Sequence, residues 1–196
     1  MRLRHLFALI LTLLAFAGAA RAEPLFSVDT RLGIWTDTQR NNREVPYRIY
    51  VPHEATGALP IVLFSHGLGG NRDGAQYLLD YLAAHGYVAV AVQHHGSDTP
   101  AIFGPGGEAG ARTMDPGTIR NRLQQGTSPA VAVDRFQDIP FAIDQLEEMN
   151  LNDAALKGRL DLSKLGMSGH SFGAITALAL AGQTTAGGNY SFGDIR

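Results

Sequence analysis

Two short apolar runs in the first half of the chain limit its possible folds more than any other feature. Ile61 to Phe64 in "ALPIVLFSHG" and Tyr87 to Val92 in "YVAVAV" are continuous rather than alternating. Such runs belong to strands buried on both faces. Between them, residues 74–85 carry apolar side chains at helical spacing, and Gly86 follows as a stop. Strand, helix, strand with a buried sheet specifies a parallel βαβ unit. The pattern then repeats. Ser128-Pro129 reads as an N-cap followed by proline at N1, opening a helix through Phe136, Ile139, Ile143 and Leu146. Pro140 is expected to kink that helix or divide it. Lys164 to Met167 reads as a further strand, and Phe172 to Ala181 as a helix rich in Ala and Leu. Upstream, Glu44 to Val51 alternates enough for an antiparallel strand near the sheet edge, consistent with Pro46. From Gln93 to Thr127 no period holds, and a loop of that length in a compact domain is commonly functional. The expected fold is α/β, with a mostly parallel, doubly wound sheet.

The N-terminus stands apart from this pattern. A basic start, Met1 to His5, precedes an apolar run from Leu6 to Ala17, and Ala20-Arg21-Ala22 supplies small residues at a cleavage site. Residues 1–22 therefore read as a secretory signal peptide, too short in its apolar run to span a bilayer. The expected location is secreted or periplasmic, with no stable membrane span after cleavage. Residues 23–196 suffice for a single domain. The chain has no cysteine, so disulfides cannot contribute in an oxidising compartment. A net charge of −2 without basic clusters argues against nucleic acid as a partner.

Chemistry enters at Gly169-His170-Ser171-Phe172-Gly173, a G-x-S-x-G placed at the end of a strand and before a helix. In that context the serine sits on a strained turn that aims its hydroxyl away from the sheet, and flanking side chains would collide. Gly169 and Gly173 remove them. Ser171 is the candidate nucleophile, and the backbone N–H of Phe172 is one candidate oxyanion donor. The turn Ser65-His66-Gly67-Leu68-Gly69-Gly70 follows an earlier strand, its glycines leaving the backbone open to a substrate. Leu68 N–H is the second candidate donor, with Gly67 and Gly69 as loop glycines.

"VLFSHGLGG" and, about a hundred residues later, "GHSFGA" together resemble the α/β-hydrolase branch of platelet-activating-factor acetylhydrolases and bacterial predicted dienelactone hydrolases. The likeness covers roughly residues 45–181. It implies an α/β-hydrolase fold, Ser171 as nucleophile, Leu68 and Phe172 as oxyanion donors, and hydrolysis of a carboxylic ester or lipid ester without metal or organic cofactor. Ala174 departs from the family, which commonly shows another glycine there.

The catalytic acid and base are harder to find. In this fold both follow the nucleophile. The seven histidines, His5, His53, His66, His85, His94, His95 and His170, all precede Ser171. His66, His94 and His95 are expected at the pocket edge, with His94 or His95 as the alternative base. Asp194 has a plausible distance from Ser171 but no apolar strand before it. Asp134, Asp138 and Asp144 read as charges on a solvated helix face. The chain thus reads as the N-terminal part of a hydrolase domain, without the triad Asp and His. Its nucleophile strand would be left as an exposed edge, prone to aggregation or pairing with another chain. Two other readings stay open: a non-catalytic secreted binding protein on a hydrolase scaffold, and one half of a complementing pair.

Overall fold

The computed structural model describes residues 25–185 and 188–189, so the segment 1–22 expected to be a signal peptide and Asp194 lie outside the described residues. Its main sheet is built from β1 (Val28–Asp37), β2 (Arg43–Pro52), β3 (Leu59–Ser65), β4 (Val88–Val92) and β5 (Leu160–Gly169). The spatial order is β1-β2-β4-β3-β5. β3 runs parallel to both β4 and β5, whereas β1–β2 and β2–β4 are antiparallel. The sheet is therefore mixed, with the parallel part around β3. A two-residue hairpin, β6 (Thr184–Thr185) with β7 (Gly188–Asn189), lies apart from it.

Both faces are covered, as the continuous apolar runs require. Ile61, Leu63, Val88, Val90 and Val92 face one cluster, which also receives Ile139, Ala142 and Leu146 from the long helix α5 (Pro129–Asn152) and Leu180 from α6 (Phe172–Leu180). Phe64, Ala89 and Ala91 face the other, with Leu79 and Ala83 of α1 (Gln76–Ala84). Each fully buried Val, Leu or Ile contributes about 1.5–3 kcal/mol, so these runs supply much of the drive to fold. Gly86 follows α1 at φ +91°, as a helix stop should.

Four sequence expectations change. β1 was not legible, and it takes the edge, so β2 is one strand inward. Pro46 is tolerated because it lies one residue past the end of the β2–β4 ladder, where its carbonyl still accepts from Gln93 N–H at 2.8 Å. β5 is longer than expected, since three residues, Leu162 to Lys164, bulge out between two paired segments. The segment after β4 is not an irregular loop. It contains α2 (Thr99–Phe103), α3 (Gly107–Ala111) and α4 (Pro116–Gly126). Asp98 and Asp115 cap α2 and α4, each accepting from a backbone N–H of the first turn, with proline at the helix start. Finally, of the two outcomes expected at Pro140, division does not occur: α5 is one continuous helix of 24 residues with Pro140 inside it. Packing of Ile139, Ala142 and Leu146 against the sheet outweighs the lost backbone hydrogen bond.

Candidate active site

β5 ends at Gly169 and α6 begins at Phe172, leaving His170 and Ser171 to reverse the chain. Ser171 sits at φ +53°, ψ −116°, a conformation that costs about 1–3 kcal/mol and persists only when the surroundings impose it. Here they do. His170 N–H donates to the Ser65 carbonyl at 3.2 Å, Gly173 N–H to the His170 carbonyl at 2.8 Å, and Ala174 N–H to the Ser171 carbonyl at 2.9 Å. A Cβ on Gly169 would fall on the backbone of Gly173, and one on Gly173 would fall on the carbonyl of Ser65. Space therefore excludes any other residue at both positions.

The turn after β3 comes up against the serine. A Cβ on Gly67 would lie 2.9 Å from His170 Nδ1 and 3.3 Å from Ser171 Cβ. Among the described residues, neither Leu68 N–H nor Phe172 N–H has an acceptor, and Ser171 Oγ has no hydrogen-bond partner. The turn is pinned from its far side. Gly69 N–H donates to the Ser97 carbonyl at 2.8 Å, and Thr99 Oγ1 donates to the carbonyl of Gly69 at 2.8 Å. A groove of about 650 Å³ opens over Ser171, lined by Phe64, Leu68, Tyr77, Leu78 and Phe103, with Glu108 at its exposed side. Its size and mostly apolar wall suit a small ligand.

Beneath the groove lies a buried polar network that sequence reading missed. Asp138 is buried and accepts four hydrogen bonds. Arg40 Nη1 (2.8 Å) and Arg43 Nε (2.7 Å) reach Oδ1, while Arg43 Nη2 (2.9 Å) and His94 Nδ1 (2.9 Å) reach Oδ2. With Nδ1 donating, His94 Nε2 accepts from Ser65 Oγ at 2.9 Å. Ser65 Oγ in turn accepts from Arg135 Nη2 at 2.8 Å. Ser65, His94 and Asp138 thus stand in hydrogen-bonded series, yet all three are buried and Ser65 does not line the groove. Burial, then repulsion from Arg135, lowers His94 to about 4, so it is neutral at pH 7. Burial likewise lowers His66 to about 3. Burial would raise Asp138, but hydrogen bonds from Arg43 and His94 outweigh it and hold it below the usual carboxylate range.

The expectation that Asp138 is a solvated charge is thus corrected: its partners come from the β1–β2 hairpin and the end of β4. Asp144 is exposed as expected, and Asp134 sits 3.6 Å from Arg43. Of the three histidines expected at the pocket edge, His66 lines the groove, with its Nδ1 donating to the Gly67 carbonyl at 2.7 Å and its Nε2 accepting from His94 N–H at 3.0 Å. His94 and His95 do not line it. His94 is turned into the interior by Asp138, and His95 is drawn away by Asp98 Oδ2, to which its Nδ1 donates at 3.0 Å. Neither reaches Ser171. His170 lines the groove beside Ser171. A sequence clue to the network did exist. Arg135 and Asp138 stand three apart on α5, among Phe136, Ile139 and Ala142, on the face that packs inward.

The strand order, the parallel crossovers and the strained serine between β5 and α6 define an α/β-hydrolase fold. Two solved structures share it: a ferulic acid esterase from Streptomyces cinnamoneus (TM-score 0.51, 20% identity, 84% of this chain and 57% of that one) and a cold-adapted esterase from an Arctic intertidal metagenomic library (TM-score 0.50, 21% identity, 78% and 54%). Within that class, the chain is similar to platelet-activating factor acetylhydrolases. The model of the family "Platelet-activating factor acetylhydrolase, isoform II" matches residues 27–104. Platelet-activating factor acetylhydrolase of Cavia porcellus is 27% identical over 154 residues, 69% of this chain and 34% of the relative. That of Canis lupus familiaris is 27% identical over 137 residues, 61% and 31%. The chain spans about a third of the length of these relatives.

Proposed function

We propose that this chain carries the nucleophile half of a serine ester hydrolase. Ser171 attacks the ester carbonyl, and the backbone N–H groups of Leu68 and Phe172 receive the oxyanion. The alcohol leaves, and water then releases the acyl group from Ser171. The carrying observation is the strained Ser171 seated against Gly67 with both amides unengaged. Each such donor contributes about 3 kcal/mol to the transition state in comparable sites. The groove's apolar wall favours a short-chain acyl ester, a phospholipid acetyl ester or a lactone, in line with the names of the relatives. Residues 23–196 are read as part of one hydrolase domain, exported through the leader 1–22 to the periplasm or cell exterior.

Ser171 Oγ meets no base among the described residues, so turnover by the 196-residue chain alone is expected to be slow. Further strands, an Asp and a His would fit at the edge of β5 left unpaired among the described residues, where Leu165 and Met167 are only partly covered and α6 exposes Ile175 and Leu178. That edge is also where aggregation or pairing with a complementing chain is expected. The test is hydrolysis of p-nitrophenyl acetate together with labelling by a fluorophosphonate. Slow labelling lost in Ser171→Ala and retained in His95→Ala supports the reading. Rapid turnover that depends on His95 overturns the reading that no described residue serves as the base. The unengaged hydroxyl also favours a second reading, a non-catalytic binding protein. It predicts no labelling and ligand binding that survives Ser171→Ala.

A further inference from the structure

Among the described residues, the chemistry above has no role for one buried cation. Arg135 of α5 is fully buried, yet none of its hydrogen bonds goes to a carboxylate. Nη2 donates to the His66 carbonyl at 2.6 Å and to Ser65 Oγ at 2.8 Å, Nη1 to Ser97 Oγ at 2.7 Å, and Nε to Thr176 Oγ1 at 3.2 Å. Its guanidinium carbon lies 4.5 Å from the centre of the Phe172 ring. These partners belong to three separate pieces of chain: the turn leaving β3, the segment leaving β4, and the first turn and a half of α6. Two of those pieces carry the candidate oxyanion donors. The His66 carbonyl lies one peptide before the amide of Leu68. The Phe172 ring belongs to the residue whose own N–H is the other donor.

We propose that Arg135 is the positioning residue of the oxyanion hole, setting the separation and direction of the Leu68 and Phe172 amides without touching substrate. The proposal rests on the reading of Ser171 as an ester hydrolase nucleophile. The guanidinium is required for this because its N–H groups serve a carbonyl and three hydroxyls while its carbon lies over an aromatic ring. The opposite charge reaches it through neutral groups. Ser65 accepts from Arg135 and donates to His94, and His94 donates to Asp138. Burial lowers Arg135 to about 10, with Asp138 opposing the shift, so it stays cationic at neutral pH. Thr176 completes the link, accepting from Arg135 and donating to the Phe172 carbonyl at 3.1 Å.

The full chain is compared with its Arg135→Met, Arg135→Lys and Arg135→Ala variants, reading amide hydrogen exchange residue by residue and the rate of Ser171 labelling by a fluorophosphonate. In Arg135→Met, the amides of Leu68 and Phe172 are expected to change in shift and exchange while those of β4 keep their protection. The limiting rate of labelling should fall about 100-fold, as for loss of one oxyanion donor, with the half-saturating probe concentration unchanged. Lysine should not restore it. Added guanidinium should recover at least tenfold in Arg135→Ala. Parent-like Leu68 and Phe172 amides in a folded variant overturn the proposal, as does loss of protection spread evenly through the sheet. If methionine unfolds the chain, the lysine variant decides: folded with parent-like amides and labelling, it overturns the proposal. If the parent itself is not labelled, the hydrolase reading falls, and the exchange comparison alone still decides whether Arg135 holds the two amides.

Discussion

Ser171, Gly169 and Gly173 show how closely residue types are tied to one turn. The glycine at 173 is there because the helix begins against the carbonyl of Ser65, leaving no room for a methyl group. Gly173→Ala is therefore expected to lose about 3 kcal/mol or more of stability, at the upper end of overpacking costs, because the obstacle is backbone and cannot rotate away. A urea midpoint within error of the parent would contradict this. These roles were legible from spacing alone, since a strand-to-helix reversal carries its own steric signature. The place of His94 was not. An imidazole after a strand's carboxyl end has the same sequence surroundings whether it faces a groove or the interior, and only Asp138, 44 residues away, decides.

At the level of elements, α5 does more than cover the sheet. Its inward face alternates core residues with Arg135 and Asp138, which bind the turn after β3 and the β1–β2 hairpin. Asp138→Asn keeps the size but leaves one carbonyl oxygen for four donors, with Arg40, Arg43 and His94 imperfectly matched. Breaking a buried pair in this way costs about 3–5 kcal/mol, and thermal unfolding of the variant against the parent checks it. The short helices α2 to α4 escaped the sequence reading because they are too brief to show a period, although α2 and α4 are capped locally by Asp and Pro. Their existence is local, while their position over the groove, with Phe103 in its wall, is a tertiary outcome.

For the whole molecule, the buried imidazoles predict sensitivity to acid. His94 and His66 are lowered from the ordinary 6.5 to about 4 and about 3. Between those values and 6.5 the unfolded chain binds protons that the folded chain refuses, so stability rises with pH there and is lost as pH falls. Asp138, held below its ordinary value, adds further loss below about pH 4 because the unfolded carboxylate takes up a proton there that the folded one refuses. His95 works the other way. Its bond to Asp98 raises it, so its contribution is present below 6.5 and fades as pH climbs through the raised value. Between pH 6 and 4 that contribution is already complete, so it does not offset the two buried rings. Stability is expected to fall by up to about 1.4 kcal/mol per pH unit for each net proton between pH 6 and 4. Urea midpoints at pH 8, 6.5, 5 and 4 test this, and a constant midpoint down to pH 4.5 would contradict it.

The sequence by itself determined the buried parallel strands, the helix that begins at Pro129, the glycine-framed serine and the open turn after β3, because each follows from local sterics or hydrophobic period. Only the tertiary structure decided that His94 serves Ser65 rather than Ser171, that Asp138 is buried, and that Arg135 bonds the His66 carbonyl and lies against the Phe172 ring. Those facts depend on hydrogen bonds between groups tens of residues apart, and no local pattern encodes which polar side chain the fold will take inside.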